Sequence, residues 1–122
     1  MKRLAILLWA TTPEQPDLCA APFVYATAAA ALDCHVEIHF AGPAVKLLVP
    51  GVAARAVTGG GKPVYAFMRE ASNLGVRFLG CTMALAHHNR NGDGLIPEVS
   101  GAVGAAAFVA RVLDAEWRTL VF

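Results

Sequence analysis

The three cysteines of this 122-residue chain, Cys19, Cys34 and Cys81, are its strongest nucleophiles, and their settings differ. Cys81 stands where an apolar run, Val76 to Gly80, gives way to a helix-like stretch, Thr82 to Ala86. That pattern marks the carboxyl end of a strand in an open α/β sheet, the edge where such sheets bind ligands. A thiol there faces the start of the next helix, whose dipole and free N–H groups favour the thiolate. The competing reading is a cysteine that only packs, as a small hydrophobe. Position alone leaves both open. Cys34 opens a strand directly after a helix, which places it at the opposite, amino edge. Cys19 follows the first strand and shares the edge of Cys81, where it could act as a resolving thiol. An odd, scattered set without C-x-x-C makes neither a disulfide framework nor a zinc knuckle, and it fits a reducing cytoplasm.

Other polar groupings compete for a role. His87-His88 lie beyond Cys81 on the helix expected over 82–89, and an imidazole there could assist a thiol. A helix that runs away from the thiol carries them away too, so solvated histidines favoured by the helix C-terminus are the better reading. His35-x-Glu37-x-His39 puts three metal-ligand types on one strand face. Residues two apart on a strand lie about 6.6–7 Å apart, so all three rarely converge on one ion. A polar face on an edge strand, or one meeting a neighbouring subunit, is the simpler account. Asn89-x-Asn91-x-Asp93-Gly94 imitates half of a calcium loop, but its twelfth position is Ser100, not Glu, so a plain turn is expected. Gly59-Gly60-Gly61-Lys62 lacks the earlier Gly and following Ser or Thr of a phosphate loop, and no G-x-G-x-x-G follows the first strand.

The elements that must position these groups alternate along the chain. Strands are expected over 3–9, 34–40, 76–80 and 117–122, with a minor one over 55–58. A helix runs to about Leu32, started by an Asp17 cap or by Pro22 in its first turn. A short helix spans 42–49. Gly59 to Gly61 reads as a flexible hinge, and Pro63 as the first turn of a helix ending near Asn73. A last long helix is expected over 97–114, with Val103, Ala106, Ala107, Ala110 and Leu113 at core spacing. Strands alternating with helices predict an α/β fold of three layers, α/β/α, with a parallel sheet of four or five strands. At this length it is one domain, 1–122.

Composition narrows the classes. The chain is 57% hydrophobic and 16% charged, with a net charge of +1. Disorder is excluded, and no basic run supports nucleic-acid binding. The apolar surplus is large for so small a domain and points to a homo-oligomer. The N-terminal stretch from Met1 to Ala10 imitates a signal peptide, but no clean cleavage site follows and a first buried strand explains it better. No segment reaches the length of a membrane span.

Several short motifs lie together. Leu74-Gly75-Val76-Arg77-Phe78 is followed by Cys81-Thr82-Met83-Ala84-Leu85, then Leu95-Ile96-Pro97-Glu98-Val99 and Arg118-Thr119-Leu120-Val121-Phe122. In these, and in Val36 to Phe40 and Lys46-Leu47-Leu48, the chain resembles the DsrE/DsrF-like family of small sulfur-relay proteins. The resemblance implies a YchN-like, flavodoxin-like fold and assembly as trimers or hexamers. It places Cys81 where relatives carry a persulfide-accepting cysteine. Candidate binding residues are Thr82, Met83, His87 and Thr11. His87-His88 and the Asn-rich turn depart from the relatives' pattern. The implied function is a sulfur carrier or sulfurtransferase whose partners are donor and acceptor protein thiols. Such transfer needs a thiolate and no cofactor or metal. The alternative is a non-catalytic ligand-binding or assembly module in which Cys81 packs.

Overall fold

The computed structural model describes residues 1–89, 92 and 94–122. Among the described residues, five strands form one parallel sheet: β1 (Arg3–Leu8), β2 (His35–Phe40), β3 (Arg77–Cys81), β4 (Val99–Val103) and β5 (Trp117–Val121). Their order across the sheet is β4-β3-β2-β1-β5. The helices are α1 (Pro16–Ala31), a 3-10 helix (Gly42–Leu48), α2 (Val52–Arg55), α3 (Val64–Asn73), α4 (Thr82–His88) and α5 (Ala105–Val112). No helix among the described residues is long and apolar enough to cross a membrane.

Side-chain alternation sorts the strands onto two faces. Register pairs Ile6 with Ile38 and Leu8 with Phe40 across β1 and β2, and Ile38 with Phe78 across β2 and β3. These residues are fully buried. They form the larger core under α1, α3 and the 3-10 helix. Phe23 of α1 sits 5.9 Å from Phe40 and 5.8 Å from Phe78, ring centre to ring centre, and Phe40 and Phe78 are 5.4 Å apart. Val64, Met68 and Ala71 recur on one stripe of α3 and bury it, while Arg69 and Glu70 face water. The opposite face carries a smaller cluster of Ala5, Phe108 and Trp117, with Leu7 beside it, under α5.

Connection handedness explains this division. From β1 to β4 the chain steps one strand at a time toward one edge, and its helices pack on the larger core. From β4 it must return past β3, β2 and β1 to reach β5. A right-handed crossover then puts α5 on the other face. The result is the expected three-layer arrangement with a parallel sheet.

Some local expectations are corrected. The helix expected over 97–114 is instead β4 followed by α5. Val99, Gly101 and Val103 are poor helix residues, and pairing with β3 claims them. The small residues hid this, because Gly and Ala carry little periodic signal. The minor strand over 55–58 reduces to the end of α2 and an isolated bridge between Val57 and Pro63. Gly59 to Gly61 is a hydrogen-bonded turn rather than a hinge. The Gly61 N–H donates to Thr58 O (2.9 Å), and the Gly59 N–H donates to the Asp17 carboxylate (2.9 Å). Asp17 therefore ties down this turn and does not cap α1, which begins with Pro16; Pro22 lies inside the helix. Pro63 sits just before α3 rather than in its first turn. β2 is the central strand, not an edge. Residues 90, 91 and 93 of the expected Asn/Asp/Gly turn lie outside the described residues.

Candidate functional site

In an open parallel sheet, a crevice forms at the carboxyl edge where neighbouring strands send their connections to opposite faces. Here that point lies between β3 and β4. After β3 the chain enters α4, whose Ala84 and Leu85 pack on the larger core. After β4 it enters α5, whose Phe108 packs on the smaller one. Cys81 and Val103 end the two strands and pair in register. A cavity of about 320 Å³ opens there, walled by Leu7, Trp9, His39, Cys81, Val103 and Phe108 among others. Its surface is almost wholly apolar, and Cys81 is the one cysteine of the three that lines it.

Cys81 is half-buried and occupies the N-cap position of α4, yet its thiol makes no capping hydrogen bond. The residue lines the cavity and also packs against the margin of the larger core, and it does not bond the helix N–H groups expected to hold it. Cys19 is fully buried and donates to Thr12 O at 2.9 Å. Burial pushes its thiol up, more than the neighbouring Thr11 hydroxyl draws it down. Cys34, ahead of β2 at the amino edge, is also raised by burial, against a smaller opposing pull from Lys2.

Next to His39, which lines the cavity, lies a buried polar network on β2. Glu37 is 1% exposed. Arg111 of α5 grips it with two hydrogen bonds, Nε to Oε1 at 3.1 Å and Nη2 to Oε2 at 3.0 Å. His39 Nε2 lies 3.1 Å from Glu37 Oε1, and Arg77 of β3 stands 3.7 Å from Oε2. Burial works to raise the Glu37 carboxyl, but the bonds from Arg111 and His39 outweigh it and hold it below the usual carboxylate range. For His39, burial leads and lowers its basicity; Glu37 opposes, and Arg111 and Arg77 add to the lowering. The imidazole is therefore neutral at neutral pH. The Arg111 guanidinium also stacks 4.1 Å from the Trp117 ring, and His39 meets Phe108 edge-on at 5.3 Å.

The metal reading of His35, Glu37 and His39 has no support in this arrangement. Glu37 is occupied by Arg111, and His35 turns to Trp117, 5.8 Å between rings. Among the described residues no group of three His, Cys, Asp or Glu could hold a metal ion. The candidate binding residues do not line the cavity. Thr82 is exposed and donates to Val103 O at 3.1 Å, which ties the start of α4 to the end of β4. Met83 is 82% exposed. His87 is exposed in the last turn of α4, its ring 4.6 Å from that of His88. Thr11 is buried beside Cys19. The residues that do wall the site with Cys81 were visible in sequence only as strand and helix core. The exception is His39, flagged as one of a polar strand face.

The DsrE/DsrF-like family model matches residues 4–122. The chain belongs to the DsrE/DsrF-like family. That membership points to a role in sulfur metabolism. No curated protein sequence matches the chain. Among solved structures it is similar to the ychN protein from E. coli, with TM-score 0.80 and 15% identity over 100% of both chains. It is also similar to the protein of unknown function MTH1491 from Methanobacterium thermoautotrophicum, with TM-score 0.70 and 17% identity, again over 100% of both. At these identities the likeness is one of fold, and this family member shares the fold of both.

Proposed function

We propose that this chain is a sulfur carrier that accepts sulfane sulfur on Cys81 as a persulfide and passes it to a partner thiol. The observation that carries the reading is the position of Cys81. It is the only cysteine in the cavity at the β3/β4 crevice, while Cys19 is sealed in the core and Cys34 lies at the far edge. Family membership supports it. The transfer needs one thiolate here and one thiol on the partner, so a single cysteine is enough. An apolar, part-enclosed pocket suits a persulfide, because it limits the water that would carry the sulfur away.

Assembly of several copies belongs to the same reading. Val109, Val112 and Leu113 at α5 and Val121 of β5 are 49%, 51%, 80% and 59% exposed, which is costly for a lone protomer. A homotrimer or hexamer would cover such residues.

A second reading is favoured by the apolar wall and the uncapped thiol: a module that binds an apolar ligand without chemistry. Intact-mass analysis after incubation with a persulfide donor separates the two. The carrier gains 32 Da per added sulfur, about the mass of one sulfur atom, and Cys81→Ser gains none. Wild type that stays unmodified, or a Ser variant that is loaded equally, leaves the binding module as the account.

A further inference from the structure

Resting on the carrier reading, we propose that His39 is the proton acceptor for Cys81 and that Glu37 positions it for that role. Among the residues that line the cavity, Cys81 and His39 are the only two with titratable side chains. They lie on adjacent parallel strands and on the same face. His39 pairs with Leu79, so Cys81 is its diagonal neighbour two residues on. Strands about 4.8 Å apart and a step of about 6.6 Å along the strand put the two backbones about 8 Å apart, a span that one water bonded to both side chains closes.

The start of α4 leaves this task unfilled, because the Cys81 thiol makes no capping bond there. The tautomer of His39 follows from its partner. Glu37 is a carboxylate and accepts only, so the imidazole proton sits on Nε2 and Nδ1 is the basic nitrogen. The charged groups facing His39 are Glu37 on its own strand, Arg77 from β3 and Arg111 from α5, with the neutral Phe108 ring from α5. Burial and the two cations keep it unprotonated at neutral pH, and Glu37 opposes them, stabilising the imidazolium as the proton arrives.

The step balances without an oxidant. Cys81 gives its S–H proton to His39. The thiolate attacks the outer sulfur of a persulfide donor, R–S–SH. A new S–S bond forms at Cys81 as the donor S–S bond breaks. The leaving R–S⁻ takes the proton back from the imidazolium and departs as R–SH, and Cys81 carries –S–SH.

The test compares wild type, His39→Gln, Glu37→Gln and Cys81→Ser. N-acetylcysteine persulfide is the donor, sulfur uptake is read by intact mass, and Cys81 alkylation by iodoacetamide is read by peptide mapping between pH 5 and 10. Wild-type alkylation should lose rate on acidification as His39 protonates and can no longer accept the thiol proton. In His39→Gln the rate at pH 7 should fall at least about tenfold and converge with wild type at the alkaline end of the range, where solvent base replaces the imidazole. Glu37→Gln should shift the profile and slow the reaction less. The Cys34 labelling rate and thermal unfolding check each fold. Should His39→Gln fail to fold, the His39 ring resonances of wild type must show a second inflection as the thiol titrates, absent in Cys81→Ser. An unchanged pH profile in a folded His39→Gln that still takes up sulfur overturns the proton-acceptor role and leaves the carrier reading standing. A missing inflection overturns it likewise. Wild type that takes no sulfur on Cys81 sinks the carrier reading, while the alkylation profile still decides the role of His39.

Discussion

Replacing Arg111 with Met should be among the costliest single changes at the α5 face, and its pH dependence should carry a distinctive sign. Glu37 is 1% exposed, and Arg111 supplies two hydrogen bonds to it at 3.0–3.1 Å. Each charge-assisted bond is worth about 1.5–3 kcal/mol net, and removing one partner of a buried pair costs about 3–5 kcal/mol. His39 and Arg77 remain and moderate the loss. Loss of the stacking on Trp117 adds to it, by about 0.5–1 kcal/mol. About 3–4 kcal/mol is the expected outcome at pH 7, read from urea unfolding.

The sign follows from linkage. In wild type, Glu37 is lowered from 4.5, so its contribution is present above that value and is lost as pH falls from there toward the folded one. His39 is lowered from 6.5, so its neutral form adds stability above 6.5 that fades on acidification below it. Wild type therefore weakens as pH drops. Without Arg111, the Glu37–His39 pair is a buried net negative charge and takes up a proton at higher pH than the unfolded chain does. The variant should then gain stability relative to wild type between about pH 7 and 5. Adding Glu37→Leu to Arg111→Met should recover part of the loss, because it removes the stranded charge. A single variant within about 1 kcal/mol of wild type, with the same pH slope, would refute the account of this network.

Gly80→Ala should destabilise by about 1–3 kcal/mol and slow Cys81 labelling. A methyl there would stand 2.8 Å from Leu85 Cδ1 and 3.1 Å from Leu48 Cδ1, so Leu85 and α4 must give way next to the thiol; unchanged stability and labelling would contradict this. Alkylation near neutral pH should modify Cys81 first, Cys34 more slowly, and Cys19 only on unfolding, since it is fully buried; early labelling of Cys19 would reverse the assignment of the reactive thiol. Sedimentation at micromolar concentration should give a species larger than the 12.8 kDa protomer; a lone monomer would remove the oligomer from the proposal.

Much of the fold was legible because it is written in local patterns. Continuous apolar residues in β1 and strict alternation in β2 mark strands, and the apolar stripe of α3 marks a helix. Cys81 at a strand–helix boundary was legible for the same reason. Residues 99–103 are too few and too small to show a strand period against the helical spacing that runs from Val103 to Leu113, so β4 was absorbed into the expected helix until β3 paired with it. The site itself is a tertiary product. Strand order and crossover handedness place the crevice at β3/β4, and no local signal encodes either. Leu7, His39, Val103 and Phe108 are distant in sequence and meet at Cys81 only because four elements converge there. His35, Glu37 and His39 showed a polar face, and their types left its meaning open. Only the arrival of Arg111, 74 residues beyond Glu37, turns that face into a buried charge network beside a thiol. Local periodicity is a property of the chain, whereas a desolvated charge and its partner exist only once packing has excluded the water between them.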